Sequence, residues 1–222
     1  MIRVEIQRTS YKKVICCLMY PPAGYPSSPI LMELKSKTLS QKLLDGLTSV
    51  CEGEAKKHLG KPQALVVLKF IASFIEDHPL CCCSDEISLV KEMLGPEDAV
   101  KLSQKTSSVS LTIWQNQYFI KVRLRVPDNY PQERVEVTAS DCNFPRIFKV
   151  WFVENSKEIA RRCVEPPLKP KPNAPKFEPS PSLRPVVNFL VKSVKRYPLE
   201  DCQICKVRVD YVLGEVFFQV SS

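Results

Sequence analysis

Apolar and polar residues alternate from the start of the chain. Residues 2–8 read as a strand, and residues 13–20 as a second, with Val14, Cys16 and Leu18 on one face and Ile15, Cys17 and Met19 on the other. Tyr11, Lys12 and Lys13 fall near the turn between them. The segment YPPAGYPSSP (20–29) is too rich in proline for regular structure and predicts a stiff, irregular connection. Ile30 to Leu34 alternate as a third strand. The period then lengthens. Leu39, Leu43, Leu47, Val50 and Ala55 fall on one helical stripe over residues 39–59, which Gly60, Lys61 and Pro62 break. A second helix follows from Gln63 to Glu76 on Leu65, Leu68, Phe70, Ala72 and Ile75, and Pro79 ends it.

The pattern then restarts. Residues 84–104 read as mainly helical, with a break at Gly95 and Pro96. Residues 107–113 alternate as a strand, turn through Gln115 to Gln117, and return over Tyr118 to Val126, which predicts a hairpin. Pro127 to Pro131 form another turn, and Val135 and Val137 begin a further strand. The apolar run 146–153 reads as a short strand or crossover, with a helix from Glu154 or Asn155 to Cys163. Residues 165–185 are proline-rich and predict a surface connection. Val186 to Arg196 give a last helix on Val187, Leu190, Val191 and Val194.

The two halves share an order: hairpin, Tyr-Pro loop, strand, helix, breaker, helix. LMYPPAGYP (18–26) echoes RVPDNYP (125–131), and LMELKS echoes VEVTAS. The fold class expected is α+β, with two domains that each pack a small antiparallel sheet against helices. Their expected bounds are 1–80 and 84–198, with 199–222 as a separate tail. The first half begins abruptly in a strand, which predicts either a shortened domain or an amino-terminal piece upstream.

Composition narrows the function classes. The chain has 222 residues, 44% hydrophobic and 25% charged, which suits a folded protein and not a disordered one. A net charge of +8 permits acidic partners. The basic residues are diluted by acidic ones, however, and no recognition helix, finger spacing or arginine-rich arm is present, so nucleic acid is not the expected partner and stands as a third class behind the protein-binding readings. Trp114 and Tyr118 beside Lys121, Arg123 and Arg125 imitate a stacking platform but read as ordinary strand residues. The longest apolar stretch, Ala64 to Phe74, is interrupted by Lys69 and is too short to span a bilayer, so no membrane partner is expected. The first residues read as a strand and not as a secretory signal, which predicts a cytoplasmic or nuclear location. In that reducing setting the ten cysteines are expected to be mostly small buried hydrophobes.

The strand, strand, Tyr-Pro, strand, helix order resembles the RWD domains, relatives of the ubiquitin-conjugating fold that lack its chemistry. The resemblance covers nearly the whole chain as a tandem. It implies that Tyr25, Pro26, Tyr130 and Pro131 support the fold, the tyrosine burying its ring and bonding a loop through its hydroxyl. The family pattern sets a second proline after three further residues. Here Pro29 follows Pro26 one residue too soon, and Pro131 has no such partner. Active conjugating enzymes carry His-Pro-Asn before the nucleophilic cysteine. His78-Pro79-Leu80 followed by Cys81, Cys82 and Cys83 lacks the asparagine and the spacing, and Cys142 and Cys163 have no nearby histidine. Conjugating catalysis is therefore not expected.

Leu199-Glu200-Asp201-Cys202-Gln203-Ile204-Cys205 resembles the opening of a RING domain. Cys202 and Cys205 would be its first two zinc ligands, but no cysteine or histidine follows, and two ligands do not close a structural zinc site. Chance spacing is the alternative. The resemblance implies a truncated RING and a longer ligase form; zinc is expected only in such a form, and no cofactor in this chain. Val207, Val209, Tyr211, Val216, Phe217 and Val220 favour a strand or hairpin in the tail, an unordered apolar tail being the other reading. The function expected is non-catalytic protein binding associated with RING-type ubiquitin ligation, with a ligase subunit or a substrate as partner. A scaffold subunit outside that pathway is the alternative. Arg161, Arg162, Lys169, Lys171 and Lys176 form a candidate partner surface. Trp151 and Phe152 are candidate anchors, with at least one expected in the core.

Overall fold

Alternation in the first strands becomes a hairpin because one face can be buried. In a computed structural model, which describes residues 1–22, 24–167 and 177–196 and the backbone of 208–212 and 215–219, strands β1 (Ile2–Gln7), β2 (Lys13–Met19) and β3 (Leu31–Lys35) form an antiparallel sheet in that order. Val14, Cys16 and Leu18 point inward and are almost fully buried. Helix α1 (Gln41–Lys57) packs on β3, and α2 (Ala64–Asp77) packs on α1 and β1. Ser40 caps α1, its side chain accepting from the Leu43 N–H. Loss of such a cap costs about 1 kcal/mol. A 3₁₀ turn follows at Pro79–Cys83. These elements make one compact unit, Met1–Asp85.

The second unit, Glu86–Ser222, takes in most of α3 (Ser84–Met93). Its sheet has the order β4 (Ala99–Ser103), β5 (Ser108–Gln115), β6 (Tyr118–Arg125), β7 (Glu136–Cys142), all antiparallel. Asn116 takes a positive φ of 53° in the β5–β6 turn, a conformation that asparagine tolerates. Helix α4 (Arg146–Val164) packs on β7 and α5 (Leu183–Arg196), and α5 crosses β5 and β6. Val186, Val187, Leu190 and Val194 of α5 are fully buried, as are Val109, Ile113, Ile120 and Leu124 of the sheet. The α+β class, with two antiparallel sheets each packed against helices, agrees with the expectation. The tail carries a further antiparallel pair, β8 (Arg208–Val212) and β9 (Glu215–Gln219).

Several elements differ from the sequence reading. Residues 99–103 are strand and not a continuation of the helix: Val100 and Leu102 pair with Leu111 and Val109. Residues 146–153 are neither strand nor crossover but the first two turns of α4. Helix α5 starts at Leu183, with Pro185 in its first turn, where the missing N–H costs nothing. The stripe of α1 is Leu44, Leu47, Cys51 and Ala55, while Val50 is exposed. In α2 it is Val67, Ile71 and Ile75, while Leu65 is exposed. That helix is apolar on nearly every side, so its period does not choose a face.

Candidate functional site

Each unit contains the same latch. Both Tyr-Pro bonds, Tyr25–Pro26 and Tyr130–Pro131, are cis. In the first unit the Tyr25 hydroxyl accepts from the backbone N–H of Gln63 at 3.1 Å, at the entry to α2. The Gln63 side chain accepts from the Ile30 N–H at 2.8 Å and donates to the Pro26 and Ser28 carbonyls. In the second unit the Tyr130 hydroxyl accepts from the Leu183 N–H at 3.0 Å, at the entry to α5. The Ser182 hydroxyl accepts from the Val135 N–H at 3.1 Å. Ile30 and Val135 each stand five residues after their tyrosine. A loop tyrosine and the residue at the start of the last helix thus satisfy backbone donors that would otherwise be orphaned.

The second latch has one more member. Tyr130 donates its hydroxyl proton to the Glu86 carboxylate, whose other oxygen accepts from the Arg184 N–H at 3.0 Å. Burial pushes the Glu86 carboxyl above its ordinary range, opposed by the bonds from Tyr130 and Arg184. The far end of α5 is held as well. Lys195 Nζ reaches Asp98 at 2.9 Å and donates to the Trp114 carbonyl. The fully buried Asp98 carboxylate also accepts from the Trp114 and Gly95 N–H groups. Tyr25 and Tyr130 thus each bond the entry to a helix through the hydroxyl, and Pro26 and Pro131 follow them through cis bonds. The polar partners Gln63, Ser182 and Glu86 escaped the sequence reading. The signal available for two of them was a hydrogen-bonding residue directly before a helix.

The thiols are poor nucleophiles where they are buried. Burial, aided by the adjacent Cys17, pushes Cys16 up to about 11. Cys51 rises to about 12, chiefly by burial. Cys81 rises to about 11 by burial and the neighbouring Cys82, against a lowering contribution from Lys12. Burial also raises Cys142 and Cys163. A nucleophile needs the thiolate, which these positions disfavour near neutral pH. His78 closes α2: its Nδ1 lies 2.9 Å from the Phe74 carbonyl and its ring stacks on Phe74. Among the described residues no group of three or more His, Cys, Asp or Glu side chains could hold a metal ion. Cys202 and Cys205 lie outside the described residues.

Helix α4 carries the most conspicuous surface. Phe152 is fully buried, whereas Ile147, Val150 and Trp151 are exposed at 72%, 52% and 47%. Their spacing of three and four residues puts them on one face. The Trp151 ring rests against Phe189 and Phe152, with centroids 5.4 and 5.5 Å away, so its exposed side is backed by core. Nearer the carboxyl end Arg161 pairs with Glu158 and Glu165, and Arg162 with Glu158. Those arginines hold the Glu158 carboxyl down at about 2. Lys169, Lys171 and Lys176 lie outside the described residues.

The outer face of the second sheet is less basic than its sequence. Lys121 pairs with Asp141 and Arg125 with Glu136, both across to β7. Tyr118 is buried against Phe144 and is not part of a platform. In the first unit an open polar groove of about 610 Å³ runs between β3 and α1, lined by Glu33, Lys35, Asp45 and Glu52 among others. No helix among the described residues is long and apolar enough to cross a membrane. Comparison of the chain with protein-family models, curated proteins and solved structures finds no match.

Proposed function

We propose that this chain is a non-catalytic protein-interaction module associated with RING-type ubiquitin ligation, built from two RWD-like units. The observation that carries protein binding is the exposed Ile147, Val150 and Trp151 face of α4. An aromatic ring backed by core and flanked by aliphatic side chains is the composition of an interface hot spot. The latch repeated in both units supports the tandem reading, since it gives both Tyr-Pro loops one structural task. The buried, raised thiols argue against a conjugating cysteine among them. The pathway itself rests on the resemblance of Cys202-Gln203-Ile204-Cys205 to a RING opening. The partner is a ligase subunit or a protein to be ubiquitinated.

The test is crosslinking affinity purification of the tagged chain from cells, beside an Ile147→Ala/Trp151→Ala variant. Ubiquitin-conjugating enzymes, ligase subunits or ubiquitinated proteins should be recovered by the native chain and lost with the variant. A stable complex containing none of these would sink the ubiquitin reading and make the chain a scaffold subunit elsewhere. Equal recovery by both proteins would remove α4 as the partner face.

A further inference from the structure

The hairpin β5–β6 and strand β7 of the second unit correspond in order to β1–β2 and β3 of the first, each set bracketing its Tyr-Pro loop. In the second unit β4 covers the outer edge of β5. In the first, β1 is an edge strand among the described residues, and Ile2 on it is 48% exposed. We propose that a second copy of this chain occupies that edge, the two β1 strands pairing antiparallel about Val4 so that two three-stranded sheets join into one.

Three features of β1 fit a copy of itself. The Arg8 N–H bonds the Lys12 carbonyl, so the alternation of an antiparallel ladder turns the backbone groups of Ile2, Val4 and Ile6 toward β2 and those of Arg3, Glu5 and Gln7 outward. With Val4 opposite Val4, Arg3 stands opposite Glu5 of the second copy, and these outward groups bond each other. The same register sets Arg3 and Glu5 side chains together twice, once on each side of the two-fold axis. Among the described residues Arg3 has no ion-pair partner, and Glu5 has Lys13 at 2.8 Å. On the core face Ile2 meets Ile6, and Val4 meets Val4. This covers apolar side chains that the single unit leaves partly open. The interface is isologous and closed, so it yields a dimer and not a fibre.

The test is sedimentation velocity of the full chain over a range of concentrations. The native chain should form dimers. Arg3→Glu places a second carboxylate against Glu5 and should weaken dimerisation roughly tenfold or more. Glu5→Arg should do the same with two arginines. The double reversal R3E/E5R restores opposite charges and should restore the dimer. So should an equal mixture of R3E and E5R proteins, which also shows that each single variant is folded. A native chain that stays monomeric at about 100 µM overturns the proposal. So does a dimer indifferent to the single reversals, or one that the double reversal and the mixture both fail to restore.

Discussion

Removing one hydroxyl from Tyr130 tests the second latch directly. Tyr130→Phe keeps the buried ring and opens no cavity of consequence. It strips Glu86 of a donor and leaves the buried Leu183 N–H without an acceptor. A hydrogen bond to a charged group contributes about 1.5–3 kcal/mol, and an unsatisfied buried donor costs about 1–3 kcal/mol. Glu86 is only partly buried, so water offsets some of its share, and the expected loss is about 3–4 kcal/mol. Both tryptophans, Trp114 and Trp151, belong to the second unit. Tryptophan fluorescence during urea unfolding therefore reports on the unit that is perturbed. The cost should depend on pH. Glu86 has a raised carboxyl in the folded state, so its contribution favours folding below the unfolded carboxyl range and is lost as pH rises through the folded value. Removing the Tyr130 donor raises that value further. The variant is therefore most destabilised near neutral pH and recovers part of the loss as pH falls through the carboxylate range. A loss below about 1 kcal/mol, or one that is the same at neutral and acid pH, would refute the assignment of Glu86 as the acceptor that matters.

Asp98→Ala should destabilise the second unit by about 3–5 kcal/mol, because it deletes a buried carboxylate, leaves the Trp114 and Gly95 donors unpaired and strips the Lys195 ammonium of its counter-ion, with only the Trp114 carbonyl left to it; the same fluorescence assay reads it. Cys16, Cys51 and Cys81 should resist iodoacetamide near neutral pH in the native protein and react fully once it is unfolded, by mass spectrometry of the labelled peptides. Trp151→Ala should cost about 1–2 kcal/mol in thermal unfolding, less than the 3–5 kcal/mol typical of a buried aromatic, since half the side chain already faces water.

Legibility from sequence depended on how completely a pattern was buried on one side. The β1–β2 and β5–β6 hairpins were plain because one face of each is the more deeply buried, in strict alternation along β6 and with Cys17 as the exception in β2. The strand β4 was not, since in AVKLS only Val100 and Ser103 are even partly sheltered, and an edge strand of this kind has little alternation to show. The first turns of α4 were misread because Ile147, Val150 and Trp151 put apolar residues on its outer face as well as its inner one. The feature that hid the helical period is the one proposed here as the binding surface. Tyr25 and Tyr130 were visible as a motif. Gln63, Ser182 and Glu86 were not, because the partners they serve lie 33 to 98 residues away; a polar residue directly before a helix hints at Gln63 and Ser182, and nothing local marks Glu86.

The two latches free the final helix of each unit from the length of the chain that leads to it. Residues 58–63 join α1 to α2, whereas residues 165–182 join α4 to α5, about three times as far along the chain. In the first unit the tyrosine hydroxyl meets the residue just before the helix, and in the second the first residue of the helix. Loop-closure entropy rises only with the logarithm of length, so this threefold difference costs about 1 kcal/mol. Docking is thus specified at the helix entrance, by each tyrosine and by Gln63 or Ser182, and not by the number of residues that lead up to it. Insertions between residues 165 and 182 should be tolerated where a single atom lost from Tyr130 is not.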